Sequence, residues 1–256
     1  MLRSSAQFRP SGRTFQSLGI RFLTCPLYYY DQIVKQSLKI PRPPRLEEIA
    51  VIPLEPLASP LESNTEYEAI SFAGRLADDL VCTSSQFQDC SISLSVTKNL
   101  VMQKVRANDT FLEVGTVNVL DAHNSRWREC RISQGKIVSG NFSGAHFSGI
   151  LFKDLKIGFL NLIQSDISDV LFENCKFDTL DFVGAKISRV AFLDCHVNEI
   201  DLRDAKSENF DLTGLEFQSL NGMDGLRNCY VSNSQLFQLS SVVARELGIK
   251  ILDSQP

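Results

Sequence analysis

The chain has 256 residues and a formal net charge of −4, with 43% hydrophobic and 22% charged side chains. That balance suits an ordinary water-soluble chain, long enough for one sizeable elongated domain with an N-terminal extension. No apolar run reaches the roughly 18–20 residues that span a bilayer, which leaves a membrane role without support.

Charge is unevenly distributed: residues 1–65 carry 8 basic and 5 acidic side chains, whereas residues 66–220 carry 15 and 22. The leader, residues 1–40, contains Arg3, Arg9, Arg13 and Arg21, several serines and no acid before Asp31. This is the composition of a mitochondrial transit peptide. Around Cys25 the segment LTCP faintly resembles a lipoprotein cleavage site, but it lacks an apolar core and has Thr24 where Gly or Ala is preferred. The leader is read as disordered, or as a stretch translated only on paper from an upstream start. Residues 41–66 follow, with Pro41, Pro43, Pro44, Pro53, Pro56 and Pro60. Proline fixes φ and removes a donor, so this segment is expected to be an extended linker lying along or leading to the next domain. A Pro-rich recognition peptide is the alternative.

Residues 67–225 carry the main signal. From Phe142 onward every fifth residue is large and apolar, as in Phe147, Phe152, Ile157, Leu162, Ile167, Phe172, Phe177 and Phe182. A period of five fits neither a helix nor a strand. Two residues before each such centre stands a second small or apolar residue, for example Val170, Cys175, Leu180 and Ala185. Spacings of two and then three give a short extended piece followed by a corner, and four such pieces close a coil of twenty residues. Residues 147–206 are three such blocks. Repetition at a fixed period is the mark of a solenoid. The register is expected to begin near Tyr67 to Phe72 and to break at 94–99, where polar Thr97 takes a centre position and Lys98 and Asn99 would tip a bulge. Trp127 falls on the centre register and is read as core. Arg126, Arg128 and Arg131 make a basic patch, conceivable as a nucleic-acid contact but read as a solvated face.

The units Asn161-Leu162, Ala185-Lys186-Ile187, Asp201-Leu202 and Asp211-Leu212 make the chain resemble the pentapeptide-repeat proteins. That resemblance implies an all-β solenoid, the right-handed quadrilateral β-helix, and a bacterial source; PRPPRLEE and ARELGIKI resemble actinobacterial members. With twenty residues per coil, outward positions form columns. Asp121, Asn141, Asn161, Asp181, Asp201 and Asn221 are read as structural, bonding backbone at a corner. Lys136, Lys156, Lys176 and His196 form a column read first as a solvated ladder and otherwise as a candidate binding strip, and Asp154, Asn174 and Asp194 align on a third face, beside Asp204 and Glu199.

Of seven cysteines, Cys90, Cys130, Cys175 and Cys195 sit at the inward position, where free thiols serve as small buried hydrophobes. A reducing cytoplasm is the setting this favours. A Cys175–Cys195 bridge is the alternative, and a zinc site using these two with His196 lacks any Cys-x-x-Cys spacing.

Residues 226–256 are expected to cap the coil with a short α-helix. Ser234 would start it, Leu236, Leu239, Val243 and Leu247 would form its apolar stripe, and Gly248 would close it. Phe237 and Val242 lie off that stripe as a surface for a homodimer, since some members of the resembled family dimerise through C-terminal segments. No nucleophile signature, phosphate loop or metal spacing occurs, so no catalytic, cofactor-binding or metal residue is assigned. The expected function is a non-catalytic, cytoplasmic protein-binding rod with an undefined partner and no direct contact with nucleic acid. The alternative, implied by resemblance to quinolone-resistance members, is a DNA mimic that binds DNA gyrase through an acidic coil.

Overall fold

Residues twenty places apart lie side by side. The computed structural model describes residues 44–46, 53–246 and 248–250; the leader and Leu247 lie outside them. Tyr67 pairs with Phe87, Phe87 with Ala107, Ala107 with Trp127, Trp127 with Phe147, Phe147 with Ile167 and Ile167 with Ile187, always in parallel. The strands form one 16-stranded parallel sheet wound into about eight coils. Only the ends depart from the period. Glu55 pairs with Ile70, fifteen places on, and Phe210 pairs with Cys229, nineteen places on.

Corners arise where the backbone turns left-handed. Asn64, Ser84, Lys104, Asn124, Gly144, Gln164, Gly184 and Asp204, each twenty residues from the last, all have φ between 55° and 66°. A second column runs through Ala69, Asp89, Asp109, Glu129, Gly149, Asp169, Arg189 and Asn209, and a third through Gln134, Asp154, Asn174 and Asp194. Asn, Asp and Gly dominate because their cost in this region is lowest. Counting from 64, residues 65–68 therefore form a first side, 70–73 a second, 75–78 a third and 80–83 a fourth, and the pattern repeats every twenty residues.

Inward positions fill the coil. Phe152, Phe172 and Phe192 stack on one another with centroids 4.8 and 5.0 Å apart and planes within 13° of parallel. Trp127 is only 2% exposed, and its indole N–H donates to the Ser125 hydroxyl at 2.7 Å. Polar inward residues bond the nearest carbonyls, as Ser165 does to Leu162 at 2.6 Å. The cysteines behave likewise: the Cys130 thiol points at the carbonyls of Arg128 and Ala107. Burial pushes the Cys82 and Cys130 thiols up to about 12. Among the described residues the cysteines are free, and the Cys175 amide donates to the Cys195 sulfur at 3.4 Å.

The expected break at 94–99 does not occur. Ser91–Val101 is one strand, Thr97 is 2% exposed at its centre position, and Lys98 and Asn99 lie within the strand. Threonine is β-branched and close to valine in shape, so it fills an inward site without a bulge. The local adjustment falls one coil later at Gly115, with φ +60°, where a Cβ would stand 2.1 Å from the Leu94 carbonyl oxygen.

The last coil is closed by a helix, Asn233–Glu246. Its cap is Ser232 rather than Ser234. The Ser232 hydroxyl accepts from the Gln235 amide at 3.2 Å while the Ser232 amide donates to Gln235 Oε1 at 2.7 Å, a reciprocal capping box. Gly248, at φ +68°, follows the helix, and the Ile249 amide reaches back to the Ala244 carbonyl at 2.7 Å.

Candidate functional site

The third side brings the strip together. Lys136 pairs with Lys156, Lys156 with Lys176, and Lys176 with His196. The three lysines are exposed, one per coil and thus roughly 4.8 Å apart along the rod. His196 ends the column, with Nδ1 3.7 Å from Glu216 and Nε2 3.3 Å from Asn198 Oδ1. Asp154 and Asp194 sit at the left-handed corner before this side, where Asn174 donates to Asp154 at 2.6 Å. Glu199 stands at the corner after it and accepts from Asn221 at 2.8 Å. Asp204 does not join them: it occupies the corner column of Asn64 and Asn124, beyond the fourth side.

Beside the lysines lie apolar residues that the five-residue register does not place inward. Val119, Val138 and Phe159 are 41%, 47% and 37% exposed. Phe159 and Val119 pair with Ser139 from either side, so the three cluster on adjacent coils. The signal was present in the sequence as large apolar residues one or two places after an inward centre.

The basic patch is composed differently from its reading in the sequence. Arg126 and Arg128 project from the first side, but Arg131 lies past a corner on the second, with its guanidinium 5.4 Å from the Phe111 ring. Arg106 takes its place, paired with Arg126. Five residues along the chain means the next side, whereas twenty means the next coil.

The Asx column bonds backbone. Carboxylate or amide oxygens of Asn161, Asp181 and Asp201 accept from the amides two residues on at 2.9, 3.0 and 3.0 Å. Burial pushes the Asp201 carboxyl up, but bonds from the Arg203 side chain and amide outweigh it and hold the carboxyl low. Asp181 is raised, by burial and by the charge of Asp201.

Among the described residues no side is negative without interruption. The most acidic edge, Asp89, Asp109, Glu129 and Asp169, is broken by Gly149 and ended by Arg189, which clamps Asp169 with two bonds of 2.6 Å. Among the described residues no cluster of His, Cys, Asp or Glu has the arrangement to hold a metal ion, and no helix is long and apolar enough to cross a membrane.

At the C-terminal end, Leu239 is 3% exposed and seals the core, but Leu236, expected in the same stripe, is 60% exposed beside Phe237 at 81%. Val242 and Val243 are half-buried. Gln235 does what an apolar residue was expected to do. Its amide donates to the carbonyls of Leu212 and Leu215 at 2.7 and 2.8 Å, and Gln238 donates to Phe217 at 2.6 Å. The terminal coil's open edge thus finds its partners in glutamine side chains.

Coils of four five-residue sides, stacked in parallel register, define a β-solenoid of the pentapeptide-repeat kind. Residues 120–202 match the family model described as pentapeptide repeat region, and this chain carries such a region. No curated protein matches the chain. Solved structures similar to it include two trypsin-treated variants of QnrB1, a plasmid-mediated fluoroquinolone resistance protein. They are 14% and 12% identical, cover 71% and 74% of this chain and 100% and 99% of their own, and have TM-scores of 0.23 and 0.28.

Proposed function

We propose that the coil is a non-catalytic rod of the cytoplasm that docks a protein partner on its third side. The observation that carries this is the exposed column Lys136, Lys156 and Lys176 flanked by exposed Val138 and Phe159. Apolar side chains rimmed by charge on a flat sheet favour a protein partner with apolar and acidic groups, because burial supplies affinity and the cations set register. Buried, free thiols support a reducing compartment. The exposed Leu236 and Phe237 support a homodimer contact through the C-terminal helix.

The test compares partners retained by the intact protein with those retained by Lys156→Glu/Phe159→Asp, two exposed changes that leave the core untouched. A partner lost only in that variant supports the reading. Partners retained equally by both proteins would sink it.

A second reading, a DNA mimic that binds DNA gyrase, draws on the acidic corner Asp89, Asp109, Glu129 and Asp169. Every side also bears cations, which weighs against a continuous imitation of duplex charge. Gyrase supercoiling, titrated with the protein with and without a fluoroquinolone, separates the two. Inhibition or drug protection would favour the mimic, and no effect on the host's own gyrase would leave the lysine-bearing side.

A further inference from the structure

Arg126 and Arg128 border a groove of about 340 Å³ on the first side of the coil, lined also by His146, Ser148, Asp166 and Ser168. Its shape follows from side-chain length. One outward column drops from Arg128 to Ser148 and then Ser168, while the neighbouring column keeps Arg126, His146 and Asp166 standing. Ser168 turns its hydroxyl down to the Phe147 carbonyl at 3.1 Å, which deepens the trough. Arg126 and Arg128 are exposed, as is Arg106 one coil below. None of the three makes an ion pair among the described residues.

We propose that this groove binds an extended acidic peptide of a partner protein, with carboxylates on Arg126 and Arg128. The two guanidinium stems leave one strand two residues apart, roughly 6.6 Å, which is also the separation of alternate side chains on an extended peptide. Guanidinium groups take carboxylates in two parallel bonds, and Arg106 adds a third cation about 4.8 Å along the rod. Ser148 and His146, further along the trough, offer hydrogen bonds to the peptide backbone.

Surrounding charge selects against nucleic acid. Asp166 closes one end of the groove, and Asp109 and Glu129 stand at the adjoining corner. A phosphate chain needs a continuous basic track, because each phosphate must displace its counterions. A short acidic segment needs only the local cations. This site lies on a different side of the coil from Lys136, Lys156 and Lys176 and stands on separate observations.

The experiment is fluorescence anisotropy of fluorescein-labelled hexaglutamate titrated with the full chain at low salt. Saturable binding is expected, weakened about tenfold, a loss of some 1.4 kcal/mol, in Arg126→Glu/Arg128→Glu and little changed in Lys156→Glu. Ser148→Asp keeps both arginines, places a negative charge in the trough and is expected to weaken binding as well. Trp127, the only tryptophan, lies beneath the groove, and its fluorescence reports whether each variant keeps its fold. Unchanged affinity in the folded double variant, or no saturable binding by the intact chain, overturns the proposal. So does a labelled twelve-residue oligothymidylate that binds as tightly as the peptide and loses affinity in the same variants.

Discussion

The Arg45 amide donates to the Asp169 carboxylate at 2.9 Å, across 124 residues of sequence. Pro44, beside it, is buried, so this point of the proline-rich segment lies against the coil that holds Asp169. The same carboxylate takes two further bonds from Arg189. Burial pushes its pKa up, but the bonds from Arg189 and the Arg45 amide outweigh that and hold it below the ordinary carboxylate range.

That balance gives a pH dependence with a definite sign. A carboxyl whose folded pKa lies below its unfolded value, about 3.9, contributes stability that is fully present above that value and lost as pH falls through the folded pKa. Asp169→Asn is expected to lower stability at neutral pH by about 1.5–3 kcal/mol, the scale for hydrogen bonds to a charged group. It should also flatten the loss of stability below about pH 4. Urea unfolding at pH 7 and pH 3 measures both, and equal losses at the two pH values would contradict the assignment.

Phe172 sits between Phe152 and Phe192 in the aromatic stack. Phe172→Ala is expected to cost about 3–5 kcal/mol, combining lost transfer energy with a cavity that parallel coils cannot close. Phe172→Leu keeps most of the volume and should recover more than half of the loss. Thermal unfolding of the two variants distinguishes a packed stack from a tolerant interior.

Gln235 is expected to protect the last coil. In Gln235→Ala the carbonyls of Leu212 and Leu215 both lose the glutamine amide, but the Leu212 carbonyl keeps its bond from the Leu215 amide at 2.9 Å, so the cost falls on Leu215, at about 1–3 kcal/mol for a buried group left unpaired. An uncovered strand edge invites pairing with other chains. Light scattering at rising concentration should therefore detect association in this variant before the intact protein shows any, whereas unchanged scattering would show that the glutamine bonds are dispensable.

Phe237 is 81% exposed on the helix, with Leu236 next to it at 60%. The proposed homodimer predicts that Phe237→Asp shifts sedimentation equilibrium toward monomer without lowering the melting temperature, since this side chain touches little of its own coil. A monomeric intact protein at all concentrations would remove the proposal.

The five-residue register of Phe147, Phe152 and Ile157 determined the coil, because only a turn every five residues puts all three inward. It also placed Trp127 in the core and turned Asn161, Asp181 and Asp201 toward the backbone amides two residues on, since side-chain direction follows from position in the repeat. Ser232 and Gln235 formed a legible capping box that the apolar spacing of Leu236 and Leu239 obscured. Asp204, by contrast, stands fifty residues from Asp154, two and a half coils, which puts it at the opposite corner.

Tertiary structure alone decided which charges meet. Arg131 follows Arg128 by three residues yet faces another way, while Arg106, twenty-two residues before Arg128, shares its side. The junction of Arg45 with Asp169 has no periodic signal at all, because the proline-rich segment lies outside the repeat and its docking depends on where the chain path returns. Local spacing dictates which way a side chain points within a coil; the wells and clusters between coils depend on the relative lengths of side chains stacked from different turns, as Arg128, Ser148 and Ser168 show.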